Sequence, residues 1–290
     1  MKEIKILIPL FNDWKSLESL LENINLQISK SNLNISIIVV DDGSIEEKKN
    51  ISNQLENIKS IKILHLKKNI GHARCIATGL KYIFDNEDFD FVIPMDSDGE
   101  DRPEEIVNFL DLISKNTNKV IVGERIKRSE NMFFKFSYII HKLITYTFTG
   151  RSIKFGNYTC LPKSTVEKMI NNKSTWNSFS GTLSKIENEL VKSPSIRGVR
   201  YYGPSKMSFF NLIKHSLSII AVFKLNVFIR STLFLIVYFY LVSQNITFIT
   251  VIPIILLIAF LIFILLLSRR ENLEELKNSE KNIKNLEIIK

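Results

Sequence analysis

The sequence predicts an α/β fold with a mostly parallel sheet, followed by a hairpin of two membrane helices, and three observations carry that expectation. Short apolar runs recur as IKILIPLF, ISIIVVDD, IKILHLKK, DFVIPMD and KVIVG. Stretches of helical periodicity such as WKSLESLLENI and ARCIATGLKYIF follow them, which is the pattern of parallel βαβ units. Towards the other end, 38 residues from Ser231 to Ser268 pass without one charge.

The first apolar run is too short for a signal peptide and reads as a strand, ending in Pro9, Phe11, Asn12 and Asp13. The second is continuously apolar, as a strand buried on both faces should be, and ends in Asp41, Asp42, Gly43 and Ser44. The fourth runs straight into DSDGEDRPEE, which sets six carboxylates between Asp96 and Glu105. Ligands of such sheets collect beyond the carboxyl ends of the strands, so these three polar clusters should meet on one edge. Glu104 and Glu105 follow Pro103 in the first turn of the next helix, where the dipole favours carboxylates without any catalytic role.

Further on, KMSFFNLIKHSLSIIAVFK predicts a helix over 207–224 with Phe209, Phe210, Ile213, Leu217, Ile220 and Val222 apolar and Lys206, Lys214 and Lys224 charged. That suits a helix lying in the headgroup plane, with packing on the soluble domain as the alternative. At ~1.5 Å per residue, one helix through the uncharged stretch would be nearly twice the ~30 Å hydrocarbon thickness. Ser243, Gln244 and Asn245 split it, predicting spans over 225–241 and 246–267. Lys224 and Arg230 flank the first span and Arg269 and Arg270 follow the second, which places both chain ends in the cytoplasm. Arg230 is expected to snorkel to that interface; a buried functional arginine is the sharper alternative. Leu273, Leu276, Ile283 and Leu286 share a helical spacing too short-lived for a coiled coil, and 269–290 is expected as a solvated cytoplasmic tail.

The net charge of +9 is unevenly spread. Residues 1–120 hold 15 Lys/Arg against 20 Asp/Glu, 121–230 hold 18 against 5, and 231–290 hold 6 against 5. A basic segment just before the membrane spans suits anionic headgroups or a phosphate-bearing substrate, and no nucleic-acid-binding motif accompanies it. Cys75 and Cys160 lack paired spacing, which argues against a disulfide framework or a thiolate zinc site and fits a reducing compartment.

Several chemistries drop out. No G-x-G-x-x-G or G-x-x-x-x-G-K-[ST] follows the first strand. An EF-hand starting at Asp96 would put Asp101 where glycine must turn and Val107 where a bidentate glutamate is required. His65, His72, His141 and His215 lack metal-ligand spacing and read as structural or solvated, and no Ser-His-Asp order is legible. What remains is Asp96 and Asp98, one residue apart, which on a strand-end turn can share one hard divalent cation and leave positions for diphosphate oxygens. A solvated loop is the plain alternative.

Four motifs in order carry a family resemblance. ILIPLFND, VVDDGS, NIGHARCIATG and PMDSD resemble the P-x-Y-N-E, D-D-G-S, N-x-G-x-x-x-A-x-x-x-G and D-x-D of glycosyltransferase family 2, inverting nucleotide-sugar enzymes of GT-A fold, over roughly residues 4–206. Within it, DSDGEDRPE is similar to the D-A-D-L-Q-D-P-P-E of polyprenyl-phosphate glycosyltransferases of the dolichol-phosphate mannosyltransferase type. The resemblance implies that Asp96, Asp98 and Glu100 hold Mg2+ or Mn2+ and the diphosphate, with the Ser97 backbone against the nucleotide. Pro9, Phe11 and Asp13 would line the nucleoside pocket, and Val40 and Asp42 would hold the base. Phe11 replaces the family tyrosine and Asp13 its glutamate, changes that bear on base preference. GERIKRSE resembles a G-S-R-Y segment, which puts Arg125 beside the transferring phosphates and Arg128 and Lys135 at the acceptor phosphate. RYYGPSK is similar to R-x-x-G-x-S-K, giving Arg200 and Lys206 donor-phosphate roles. The catalytic set so implied is Asp98, Arg125, Arg200 and Lys206, and guanidinium and ammonium groups suit a crowd of phosphates. The roles of Asp101 and of FGNYTCLP stay open.

The implied activity is transfer of a sugar from a nucleoside-diphosphate sugar to undecaprenyl or dolichyl phosphate at the cytoplasmic face of the cell membrane. Its expected layout is a catalytic domain over 1–206, the interfacial helix over 207–224, the hairpin over 225–268 and the tail. Relatives that glycosylate hydroxyls place a Glu-Asp pair downstream of the D-x-D as general base; TWNSFSGTLSKIENELVKS has none, leaving Glu187 or Glu189 as base candidates. A phosphate acceptor is already anionic and needs no base. The alternatives are a family 2 enzyme acting on a lipid-linked saccharide or glycolipid hydroxyl, and a catalytically silent nucleotide-sugar-binding scaffold. A nucleotidyltransferase is disfavoured for want of a glycine-rich first loop. A homo-oligomer is a candidate assembly.

Overall fold

The computed structural model describes residues 2–31, 33–48, 51, 55–116, 118–127, 132–204 and 208–290, without the side chains of 30, 127, 132–138, 141 and 209. In chain order the elements are β1 (Glu3–Leu10), α1 (Trp14–Gln27), β2 (Asn34–Asp41), β3 (Ser60–Leu66), α2 (His72–Asn86), β4 (Phe91–Pro94), α3 (Ile106–Lys115), β5 (Val120–Lys127) and α4 (Met132–Thr149). They continue as β6 (Thr159–Pro162), α5 (Lys163–Ile170), α6 (Phe179–Ile186), β7 (Leu190–Ile196), α7 (Phe209–Ala221), α8 (Lys224–Val242), α9 (Phe248–Ser268), α10 (Leu273–Lys277) and β8 (Ile283–Ile288).

The strands form one sheet in the order β7-β5-β6-β4-β1-β2-β3-β8. β4, β1, β2 and β3 are mutually parallel, as are β5 and β7; β6 runs antiparallel to both β4 and β5, which leaves β5 and β7 pointing the same way as β1. All these parallel strands therefore end on one edge. The expected mostly parallel sheet is what the chain forms.

The continuous apolar character of β1 and β2 has the predicted cause: both faces are covered. Ile4, Ile6, Ile8 and Leu10 pack with α1 and α3 residues such as Leu17, Leu21 and Phe109 on one face. Leu7, Ile38 and Val40 pack with α2, α5 and α6 residues on the other, among them Ile76, Val166 and Leu183. Burying each such side chain is worth ~1.5–3 kcal/mol. α2 lies unusually close to the sheet, because a Cβ on Gly79 would stand 2.3 Å from Leu7 Cδ1 and 2.9 Å from Val40 Cγ2. Cys75 and Cys160 are free and buried.

α8 and α9 agree with the predicted spans to within a few residues, and both are long and apolar enough to cross a membrane. Tyr238 Oη donates to the Thr250 carbonyl at 3.0 Å across the hairpin. At its base a small cluster of Ile220, Ala221, Val227, Ile264 and Leu267 joins α7, α8 and α9, with Ile144 and Phe148 of α4 against it. α7 divides along its length: Phe210, Leu212 and Ile213 are exposed, whereas Ile220 and the following Val222 are fully covered. Both were expected on the apolar face of an interfacial helix; Ile220 instead joins the cluster at the hairpin base, and Val222 packs against Gly181 of α6. Arg230 is exposed and donates from Nη1 to the Thr147 carbonyl at 3.0 Å, so it caps the last turn of α4.

The solvated tail is corrected. Beyond the hairpin the chain returns to the sheet: α10 buries Leu276 with Trp176 and Ala77, and β8 pairs antiparallel with β3, Leu64 opposite Leu286 and His65 opposite Asn285. Main-chain bonds hold both ends of that pairing, Lys67 N to Asn282 O at 2.8 Å and Ile61 N to Lys290 O at 3.0 Å. An otherwise open edge of β3 is thereby closed.

Candidate functional site

The carboxyl ends of β1, β2 and β4 lie on one edge as expected, and β5 and β7 end on the same edge. After β4, the loop from Asp96 to Asp101 turns back through Gly99 (φ 86°), where any side chain would strike the Tyr201 ring at 2.6 Å. The chain leaving β7 runs along this loop, with Gly198 N donating to Glu100 O at 2.8 Å and Tyr201 N to Asp98 O at 2.9 Å. These bonds carry two arginines onto the acidic loop. Arg200 donates to Asp98 through Nη1 and to Asp13 Oδ2 at 2.7 Å through Nη2, and Arg197 pairs with Glu100. Arg200 Nε is buried and has no hydrogen-bond partner among the described residues.

Asp96 and Asp98 lie in contrasting fields. Burial pushes the Asp96 carboxyl up, but the 3.0 Å bond from His72 Nε2 and the charges of Arg125 and Arg197 outweigh it and hold Asp96 well below the ordinary range. Asp98 is raised to about 6, by burial first and the Asp96 charge second, against the pull of Arg200. Asp101, which the sequence leaves open, is buried and accepts Asp96 N at 3.0 Å; burial and the Asp96 charge raise it to about 7. It shapes the loop, and its other oxygen lies 3.8 Å from Arg125 Nη2.

Arg125 stands at the end of β5, its amide donating to Lys154 O at 3.2 Å. The FGNYTCLP segment makes room for it, since a Cβ on Gly156 would come 3.1 Å from Arg125 Nη2. Tyr158 of the same segment donates to Arg102 O at 2.9 Å and tilts over Phe109.

The residues expected to line a nucleoside pocket lie in the loops after β1 and β2. Asn12, at φ 51°, accepts Ile45 N at 2.8 Å and Glu46 N at 3.1 Å, and its own amide donates to Ser44 Oγ at 2.9 Å. Gly43 sits at φ 69° with Lys68 and Asn69 backbone under 3 Å from any added Cβ, a position only glycine fits. Phe11 is open to solvent and Asp13 lies nearly buried beside Arg200.

Other expected residues depart from this picture. Val40 is fully buried with its carbonyl accepting the Cys75 thiol, and Pro9 is buried within β1, so both support the site from beneath. Both Asp42 oxygens are taken by the amides of Ile70 and Gly71, at 2.8 and 3.0 Å, in the turn that starts α2. Ser97 is buried within the acidic loop. Glu100 is turned to Arg197, and among the described residues no group of three metal-ligating side chains assembles, so the expected three-carboxylate set is not formed. Of the expected ligands, Asp98 accepts Glu100 N at 2.9 Å on Oδ1 and Arg200 on Oδ2, and Asp96 meets His72 through Oδ1. Mg2+ is commonly held by one or two carboxylates plus substrate phosphates, so a site on these two carboxylates would need Arg200 to release Asp98. Glu187 accepts Thr165 and Lys168, each at 2.9 Å, and Glu189 pairs with Lys119 at 2.9 Å. Both precede β7, at the edge opposite the acidic loop, which removes them as general bases. Lys206 and Arg128 lie outside the described residues, and Lys135 falls on α4 where side chains are not described.

Sequence reasoning missed His72 and Arg197. His72 is the first residue of α2 after Gly71 (φ 96°), a position at the ligand edge that the N-x-G spacing marks. Arg197 sits three residues before Arg200 on an extended segment whose course only the β7 pairing sets.

Comparison with known proteins supplies the family. The undecaprenyl-phosphate 4-deoxy-4-formamido-L-arabinose transferase of Proteus mirabilis (strain HI4320) is 27% identical over 221 residues, covering 73% of this chain and 65% of that protein. Its namesake from Photorhabdus laumondii subsp. laumondii is 28% identical over 222 residues with the same coverage. The chain thus spans 65% of the length of these curated relatives. Among solved structures, glucosyl-3-phosphoglycerate synthase from Mycobacterium tuberculosis with Mn2+, UDP and glucosyl-3-phosphoglycerate superposes with a TM-score of 0.53 at 13% identity, over 78% of this chain and 80% of that one. S. aureus TarS 1-349 with UDP-GlcNAc gives 0.52 at 15% identity, over 97% and 92%. These likenesses show a shared GT-A-like α/β fold. Residues 5–175 match the model of glycosyl transferase family 2, and the chain belongs to that family.

Proposed function

We propose that the chain transfers a sugar from a nucleoside-diphosphate sugar to a polyprenyl phosphate at the cytoplasmic membrane face. The observation that carries this reading is the cluster of Arg125, Arg197 and Arg200 around the Asp96 to Asp101 loop, connected through β5 and α4 to the apolar hairpin. Relatives named as undecaprenyl-phosphate transferases support the acceptor class, and the 18 basic residues in 121–230 suit a phosphate at a membrane.

In the proposed reaction an oxygen of the lipid phosphate attacks the anomeric carbon as its bond to the nucleoside diphosphate breaks on the opposite side. The acceptor oxygen is already anionic, so no proton is removed, and the placement of Glu187 and Glu189 at the far edge suits a reaction without a base. Asp96 and Asp98 would hold a divalent cation, which when bound neutralises the departing diphosphate. Arg200 and Arg125 orient the diphosphate and stabilise the charge it gains, with Lys206 assigned the same role and Arg128 and Lys135 the acceptor phosphate. Phe11 and Asp13 flank the nucleoside. Because β8 rejoins β3, the segment after the hairpin lies on the same side as the catalytic domain, in keeping with Lys224, Arg230, Arg269 and Arg270 facing the cytoplasm.

Asp98→Asn is expected to lower sugar transfer at least about a hundredfold while the protein still unfolds cooperatively in detergent. Transfer at the wild-type rate in that variant removes Asp98 from the site.

A further inference from the structure

We infer that Glu287, on the strand that follows the membrane hairpin, is a positioning residue for the nucleoside half of the donor. This rests on the donor-site reading above and adds to it a residue from the far end of the chain. The Glu287 carboxylate bonds at Oε2 to His65 Nε2 at 3.0 Å and at Oε1 to Lys48 Nζ. The opposite nitrogen of the same ring, His65 Nδ1, meets Asp41 Oδ2 at 2.9 Å. Asp41 Oδ1 in turn accepts Ser44 N at 2.9 Å, and Ser44 Oγ accepts the Asn12 amide.

One carboxylate thus secures both ends of the loop from Asp41 to Lys48. That loop carries the Asp42, Gly43 and Ser44 motif, and only its tip over 45–47 is exposed, with Ile45 88% open to solvent. Its middle is tied to the first loop through Asn12, so Glu287 completes a frame around the nucleoside side of the site. Trp14, which donates to Glu46 O at 3.2 Å, packs its ring 6.2 Å from that of His65 and closes the same frame. Pairing of β8 with β3 rests on main-chain bonds and does not require this side chain. Its contribution is to order the loop before the ligand arrives, and ordering of a loop is a cost that binding otherwise bears.

The test uses the full-length protein in detergent with Mn2+ and titrates UDP, GDP and inorganic pyrophosphate calorimetrically. Glu287→Ala should weaken the better-bound nucleotide about tenfold and leave pyrophosphate, which engages only the phosphate end, within about twofold. Glu287→Gln keeps an acceptor for His65 and should recover part of the loss, while Glu280→Gln, on the same segment but bonded to Asn86, should change nothing. If Glu287→Ala does not fold, Lys48→Ala attacks the frame from the other side and should show the same split. Equal nucleotide affinity in wild type and Glu287→Ala, or a parallel loss of nucleotide and pyrophosphate, overturns the inference. Failure of the wild-type protein to bind either nucleotide overturns the donor-site reading itself.

Discussion

Asp42 is both a motif residue and a buried charge, and its titration separates these two parts. Burial raises its pKa from 3.8 to about 6, against the amides of Ile70 and Gly71. Between those values the folded chain holds a proton that the unfolded chain has released. This stability contribution is therefore full below about 3.8 and is lost as pH rises through about 6, amounting to roughly 3 kcal/mol at most. Asp42→Asn should flatten the change in thermal stability between pH 4 and 6, measured by calorimetry in detergent; an unchanged slope contradicts the assignment. At the same scale, Arg200→Ala should cost about a hundredfold or more in transfer, because it removes the charge that spans Asp13 and Asp98. Near wild-type turnover counts against its role. Asp96 and Asp98 were legible from their spacing at a strand end, and Arg125 and Arg200 only through the family resemblance of the segments around them. His72 and Arg197 were not, since their importance comes from through-space pairing with Asp96 and Glu100.

Elements were legible where periodicity reports burial and illegible where it does not. β1 and β2 announce themselves as unbroken apolar runs because helices cover both faces. β8 offers no such signal: it is an edge strand with most of IKNLEI exposed, so its leucine and isoleucines read equally well as one face of a short helix. Its place is set by the unpaired edge of β3, a property of the sheet and not of the segment. α2 shows the opposite case, where one residue records a tertiary demand. Gly79→Ala should lower unfolding stability by about 1–3 kcal/mol, because the added methyl must displace Leu7 and Val40. A neutral effect in thermal unfolding would mean that α2 does not approach the sheet as described.

For the molecule as a whole, the apolar hairpin leaves the α/β domain and the chain then comes back to it. Hairpin and domain are thereby joined at two places, through α4 and α7 at the hairpin base and through α10 and β8 at the sheet edge. Both chain termini should be accessible to a membrane-impermeant thiol reagent from the cytoplasmic side only, after cysteines are introduced at Lys2 and Lys290. Labelling of the two ends from opposite sides contradicts the double connection. The most direct test of the central claim is a competition assay in which the full-length protein, with Mg2+ or Mn2+ and the nucleotide sugar it turns over, is offered undecaprenyl phosphate and a soluble or lipid-linked sugar hydroxyl together. The account predicts a polyprenyl-phosphate sugar as the dominant product, with no product when the lipid phosphate is replaced by the free polyprenol. Preferential glycosylation of the hydroxyl acceptor would contradict it.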